Sequence, residues 1–434
     1  MATSLAIYFK YRDGDQLITL HYRGYHIGEH IYDTILRGDF SRVTIAKVPF
    51  RRGFAKIYKS ILGIIGAEKL YSKYPFSALV YSDCDYMPGR ALQLVAIKNK
   101  ARLYYMNGLN NLVCQYNTDH MTLPHVKNVL YPVWESWQKF LKQPDIDKLV
   151  DNYIAERFKG EAANQFDTGA FKNKRSYTRS ELLAKFKLDS NKKNVVIAAH
   201  VFSDLAHYSF YQLHRDYYEW LMVTVKILSR NNHVNVFLKV HPSTHLYFEE
   251  GGVEKLLQVS GVKNVYLMPD DLSTAAIPDI ADYIVTQSGT MGLEMAGFGI
   301  PVFTTAKGYY CDFGIDIYSS TDKEYEERLL HIENTPRLSA ETTKRARRAL
   351  CYIYATKGAW RPTFGTPEIF TMGTNHSKDK DYWLMPCVKQ WQDINSAIKA
   401  GANIKDNFYK TQLNAIEIVD NDLWNKYKVE FSDE

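Results

Sequence analysis

DIADYIVTQSGTMGLEMAGFGIPVF, residues 279–303, decides the fold. Tyr283-Ile284-Val285-Thr286 is a β-branched and aromatic run suited to a buried strand. It stops at the small-residue turn Gln287-Ser288-Gly289-Thr290, and Met291 to Phe298 then has helix-forming composition. Gly299-Ile300-Pro301 ends that helix, since glycine and proline punctuate strongly. Val302 to Thr305 starts another strand. The unit is β-turn-α-turn-β, with Ser288, Gly289 and Thr290 at a helix N-terminus. Backbone N–H groups there point outward with the positive end of the helix dipole, which suits a phosphate. The hydroxyls of Ser288 and Thr290 add side-chain donors, and Glu294, one turn on, is placed to reach ribose hydroxyls. An ordinary helix cap has the same letters, so the neighbouring strands must supply the context.

They do so on both sides. Asn194 to Ala199 reads as a strand leading into HVFSDLAH, residues 200–207. Val234 to Val240 reads as the next, leading into His241-Pro242-Ser243. A helix near 252–260 and a strand at Val265–Met268 follow. Strands alternating with helices imply a parallel sheet covered on both faces. In such a sheet the loops after the strands share one edge and converge on one crevice. Upstream, Leu17 to Leu20 and Val43 to Val48 read as strands around a helix in RGYHIGEHIYDTILRGDF, the first half of a second Rossmann-like unit. Asp83, Asp85, Arg90 and Asn107 follow or end strands there and are candidate acceptor lining. Residues 120–175 read as helical, and the charged stretch 177–194 as the hinge. The expected organisation is a Rossmann-like acceptor domain over 1–185, a Rossmann-like donor domain over 186–345, and a helical segment over 346–434 packing back on both.

Composition bounds the function. The chain has 434 residues, 46% of them hydrophobic, enough for two real cores. No apolar run approaches the roughly 18 residues of a membrane helix. The first residues, MATSLAIYFKYRDGD, hold too short an apolar run for a signal peptide, so a cytoplasmic protein is expected. Five scattered cysteines without a Cys-x-x-Cys pair argue against a disulfide framework and a zinc site. A net charge of +6 suits anionic substrates or a membrane surface and falls short of a nucleic-acid protein. The basic run Lys344, Arg345, Arg347, Arg348 reads as a solvated helix face or as a contact with anionic lipid.

Three motifs therefore stand at successive strand ends: HVFSDLAH, His241-Pro242 and Ser288-Gly289-Thr290 with Glu294. On these, and on RGYHIGEHIYDTILR near the start, the chain resembles the GT-B glycosyltransferases of bacterial capsule and O-antigen synthesis, especially the retaining β-Kdo transferases that use CMP-Kdo. The likeness covers most of residues 20–360. It implies two Rossmann-like domains facing a cleft. It implies that His241-Pro242 and Ser288-Gly289-Thr290 hold the phosphate of a CMP-sugar donor. A nucleoside monophosphate leaving group needs no divalent metal, and neither metal nor separate cofactor is expected. Asp83-Cys84-Asp85 is the one Asp-x-Asp triplet, and it lies in the other half.

Asp204 is the candidate next to the anomeric carbon. A carboxylate there can deprotonate the acceptor, giving inversion, or form a glycosyl-enzyme, giving retention. The resemblance implies the second. An N-cap to a following helix is the structural alternative. His241 is expected to donate to the departing phosphate. His200, and Glu161 in the loop 160–171, are candidates for contacting the sugar. The acceptor implied is a glycan carried on a lipid, reached at the cytoplasmic face of the inner membrane. A UDP-sugar or another CMP-activated acidic sugar as donor, and a glycan-binding subunit without turnover, are the competing readings.

Overall fold

The computed structural model describes residues 1–39, 42–81, 85–107, 112–115, 132, 134–159, 171, 174–356 and 359–360. The first unit opens with α1 (Ala2–Lys10), α2 (Gly14–Ile18), the hairpin β1 (His21–Tyr22) and β2 (Tyr25–His26), α3 (Gly28–Arg37) and α4 (Phe50–Lys73). Both strands expected before residue 50 are corrected. The Asp13 side chain accepts from Asp15 N and caps α2, so Leu17 and Leu20, three apart, bury together on a helical turn. Val43 to Val48 makes only the isolated bridge of Lys47 with Asp13. The sequence reading passed over α4, although Ile57, Ile61 and Ile64 bury one face at three- and four-residue spacing.

β3 (Ala78–Tyr81), α5 (Arg90–Lys98), β4 (Arg102–Asn107) and β5 (Leu112–Gln115) complete this unit. β3 and β4 are parallel, but β5 runs antiparallel to β4. The sheet is therefore mixed, where a Rossmann-like unit would be parallel. The reason is the short β4–β5 connection, since a parallel pairing needs a crossover of about a dozen residues.

Next come α6 (Trp134–Leu141), α7 (Ile146–Lys159) and α8 (Arg179–Phe186). Grouped by sequence with the first unit, they bury their apolar side in the second. Trp137, Phe140, Ile154 and Leu182 share one core with Val196, Phe237 and Ile284.

The second unit comprises β6 (Lys193–Ala198), α9 (Tyr217–Leu228), β7 (Val234–Lys239), α10 (Gly252–Ser260), β8 (Val265–Leu267), α11 (Ile277–Ile280), β9 (Tyr283–Val285), α12 (Thr290–Ala296), β10 (Val302–Thr304), β11 (Ile317–Tyr318), α13 (Asp322–Leu330) and α14 (Ala340–Cys351). Its six strands are all parallel, in the order β8-β7-β6-β9-β10-β11. Read from β6 this is the doubly wound order, reversing between β6 and β9. Strands buried on both faces explain the unbroken apolar runs. Val195 and Ile197 enter one core and Val196 the other. The first of those cores runs on without a break into the first unit, through Ile31, Ile35, Ile57 and Ile61. Last, β12 (Ala359–Trp360) returns to the first unit and pairs antiparallel with β5. The fold is α/β, in two units built on separate sheets.

Candidate active site

Ligands of open α/β sheets bind outside the strand C-termini where the order reverses. Here that point lies between β6, which leads into His200, and β9, which leads into Thr286–Gly289. His200 Nε2 lies 3.1 Å from Thr286 Oγ1, and Gly289 N donates to the same hydroxyl at 3.1 Å. The His200 ring stacks on Tyr217 at 4.2 Å between centroids. Burial, with the nearby charge of His241 acting in the same direction, drives the His200 imidazole down to about 3. It is neutral at pH 7 and acts as a hydrogen-bonding group rather than a cation for a sugar carboxylate.

His241 follows β7. Ser243 N donates to its Nδ1 at 3.2 Å, so a neutral ring carries its proton on Nε2. That is the tautomer a donor to phosphate needs. Pro242, beside it, accepts from His245 Nδ1 through its carbonyl at 3.0 Å.

A Cβ at Gly289 would stand 2.9 Å from Thr286 Oγ1 and 3.2 Å from His200 Cε1. Both neighbours are packed, so Gly289→Ala is expected to cost about 1–3 kcal/mol of stability. Urea unfolding measures the loss. Wild-type stability in that variant would show that the turn has room for a side chain.

The hydroxyls of this turn face inward. Ser288 Oγ lies 2.6 Å from Ser209 Oγ, and Thr290 Oγ1 lies 2.9 Å from Tyr309 Oη and 3.0 Å from Tyr354 Oη. Glu294 requires a correction. It is buried, and its Oε1 accepts from Arg157 Nε at 2.9 Å and Nη2 at 2.7 Å. An ion pair with α7 takes the place of the expected ribose contact.

Asp204 lies on the loop after β6 and caps no helix, since α9 begins at Tyr217 with Asp216 as its cap. Tyr86 of the first unit donates to Asp204 Oδ1 at 3.3 Å. Tyr247, on a 3₁₀ turn over Thr244–Tyr247, bonds the same carboxylate, and Arg37 of α3 stands 4.2 Å from the Tyr247 ring. Burial raises the Asp204 pKa. The Tyr247 bond, the Arg37 charge and the Tyr86 bond oppose the rise without cancelling it. The loop is held from behind by Glu249, whose carboxylate accepts from Phe202 N at 2.7 Å and Ser203 N at 2.8 Å. Leu205, next to Asp204, has φ 48°, an uncommon state for a bulky residue. Tyr217 Oη bonds its carbonyl at 3.1 Å, so one tyrosine braces both the Asp204 loop and the His200 ring.

Sequence reading missed the partners from α3. His30, Asp33, Thr34 and Arg37 repeat at helical spacing between the apolar Ile31 and Ile35 and form a largely buried polar stripe. Asp33 accepts from His207 Nδ1 at 2.7 Å and from His207 N at 3.2 Å. A carboxylate can only accept, so Nδ1 carries the proton. His207, the last residue of HVFSDLAH, thus belongs to this junction. The i, i+3, i+4, i+7 spacing of polar residues was the available signal.

Glu161 and Asp83 lie outside the described residues. Asp85 pairs with buried Arg90 at 3.0 Å. Among the described residues no group of three metal-type ligands converges, and no helix is long and apolar enough to cross a membrane. The basic run of α14 is paired. Lys344 and Arg348 reach Asp147, and Arg347 reaches Asp151.

No protein-family model matches the chain, and no curated protein does. Solved structures do, at low identity. Thermosulfurimonas dismutans KpsC, a beta Kdo 2,4 transferase, is 12% identical with a TM-score of 0.37, covering 67% of this chain and 88% of its own. The beta Kdo 2,7 transferase of the same organism's KpsC is 14% identical with a TM-score of 0.32, covering 65% and 79%. Methanocaldococcus jannaschii UDP-GlcNAc 2-epimerase is 17% identical with a TM-score of 0.30, covering 68% and 80%.

Proposed function

We propose that the protein is a GT-B glycosyltransferase that moves Kdo from CMP-β-Kdo to a growing, lipid-linked surface glycan. One observation carries this reading. The edge where the sheet order reverses presents a neutral His200, a His241 with its proton on Nε2 and a glycine turn. Beside that edge stands Asp204, a carboxylate of raised pKa gripped by Tyr86 of the other unit.

The chemistry runs in two displacements. Asp204 attacks the anomeric carbon as the bond to the CMP phosphate breaks, and His241 Nε2–H stabilises the charge gathering on the leaving phosphate. The acceptor hydroxyl then attacks the same carbon from the face that CMP left, its proton passes to the CMP phosphate on that face, and the bond to Asp204 breaks to release the carboxylate. Two inversions give retention.

A thermal-shift screen with CMP, UDP, GDP and CDP tests the donor. CMP at 100 times its dissociation constant is expected to stabilise the protein by about 2.7 kcal/mol, and the others much less. A shift with UDP alone would replace the Kdo donor by a UDP-sugar. No shift with any nucleotide would leave a glycan-binding subunit without turnover.

A further inference from the structure

We infer that a cavity beside the candidate active site is a subsite for a neutral sugar ring of the acceptor, an inference that rests on the glycosyltransferase reading. The cavity, of about 380 Å³, lies where α2 and α3 of the first unit meet the loop 207–215 of the second. That size falls within the range of small-molecule sites. His207 forms part of its wall and, through Asp33, ties it to the junction that holds Asp204.

Three wall residues point to a hydroxyl-rich ligand. Tyr211 is 58% exposed at φ 48°, left-handed for a bulky residue. Its flanks fix it there: Phe210 and Lys307 exchange backbone bonds at 3.0 and 2.7 Å, and Tyr318 Oη donates to the Tyr211 carbonyl at 2.8 Å. Lys307 Nζ lies 5.7 Å from the ring centroid on one side, and the ring held out in this way offers its other, flat apolar face to the C–H side of a pyranose. His214 is 6% exposed, and neither of its ring nitrogens has a hydrogen-bond partner. Asp322 Oδ1 lies 3.6 Å from Nε2, too far for a bond. Gln212 spends its amide on the carbonyls of His214 and Arg215 at 3.0 and 3.1 Å, while its Oε1 stays buried without a partner. Polar atoms left without partners in residues that line a cavity call for partners that both donate and accept, which sugar hydroxyls do.

Charge selects among sugars. Among the described residues, Asp15, Glu29 and Glu219 line the cavity with one guanidinium, Arg215, which already bonds Asp15 at 3.1 Å. Such a wall repels an acidic sugar and accepts an uncharged one.

Saturation-transfer NMR on the full chain tests this with methyl β-D-glucopyranoside, methyl β-D-glucosaminide and free Kdo, each at millimolar concentration. The neutral glycoside is expected to give signal, falling about fivefold or more in Tyr211→Ala, which removes the stacking face. Ile18→Trp, which fills the cavity from the first unit, is expected to do the same. The CMP thermal shift should stay at the wild-type value in both variants. No signal from the glucoside, signal unmoved by both variants, or stronger signal from the glucosaminide or Kdo would each overturn the subsite. A missing CMP shift with an intact, variant-sensitive glucoside signal would instead sink the donor assignment and leave the subsite standing.

Discussion

On the proposed Kdo transfer, Asp204→Asn is expected to lower turnover of CMP-Kdo by roughly 10³-fold or more and at the same time to make the protein more stable at neutral pH. The first effect follows from removing the carboxylate proposed to attack the anomeric carbon. The second follows from the environment of that carboxylate. Burial raises the Asp204 pKa above its ordinary 3.8, against the pull of Tyr247, Arg37 and Tyr86. A group whose pKa is raised by folding stabilises the native state fully below its unfolded pKa. That contribution disappears as the pH climbs through the folded value. At pH 7 to 8 the ionised side chain is therefore a cost. Asparagine keeps an oxygen to accept from Tyr86 and carries no charge. The melting temperature of Asp204→Asn should exceed that of the parent at pH 8, with the difference closing as the pH falls toward 4. Steady-state turnover and a pH series of melts measure the two. Turnover within tenfold of the parent would remove Asp204 from the chemistry. A variant less stable at every pH would show that its carboxylate is a structural anchor.

Glu294→Ala is expected to destabilise the fold by about 3–5 kcal/mol, because it strands a buried guanidinium. Arg157 bonds Glu294 twice and Tyr153 Oη once at 3.2 Å, with its guanidinium 4.5 Å from the Tyr354 ring centroid. Both side chains of the pair are 6% exposed. Water cannot replace the lost partner at that depth. The control is the double variant Arg157→Met with Glu294→Leu, which removes both charges at similar volume. It should recover much of the loss, since an apolar pair has no desolvation cost to offset. Urea unfolding of the three proteins decides the matter. A single variant within 1 kcal/mol of the parent would mean that the pair contributes little to the fold.

The second unit was legible because its strands are buried on both faces. Asn194–Ala199, Val234–Val240 and Tyr283–Thr286 are continuous β-branched and apolar runs, and each matches a strand to within a residue or two. The glycine turns between them are also local signals. In the first unit the same reading failed at Leu17–Leu20. Four residues cannot separate a strand from a short capped helix, and Asp13 decided for the helix. The outer edge of the mixed sheet was illegible for another reason, since its last strand arrives from residues 359–360, far along the chain.

The sequence by itself determined the alternation of strands and helices in the second unit. It also determined that His200, Asp204, His241 and Gly289 follow β6, β7 and β9, since each is a local matter of pattern and spacing. Which residues meet there was decided only by the tertiary structure. Tyr86 meets Asp204 across 118 positions, Arg157 meets Glu294 across 137, and Asp33 meets His207 across 174. Each contact depends on how α3, the turn before α5, and α7 dock on the second unit. Docking follows from the burial of whole apolar faces, a non-directional force summed over distant segments. The polar partners are carried into place by that packing, so their pairing is written in no single stretch of the chain.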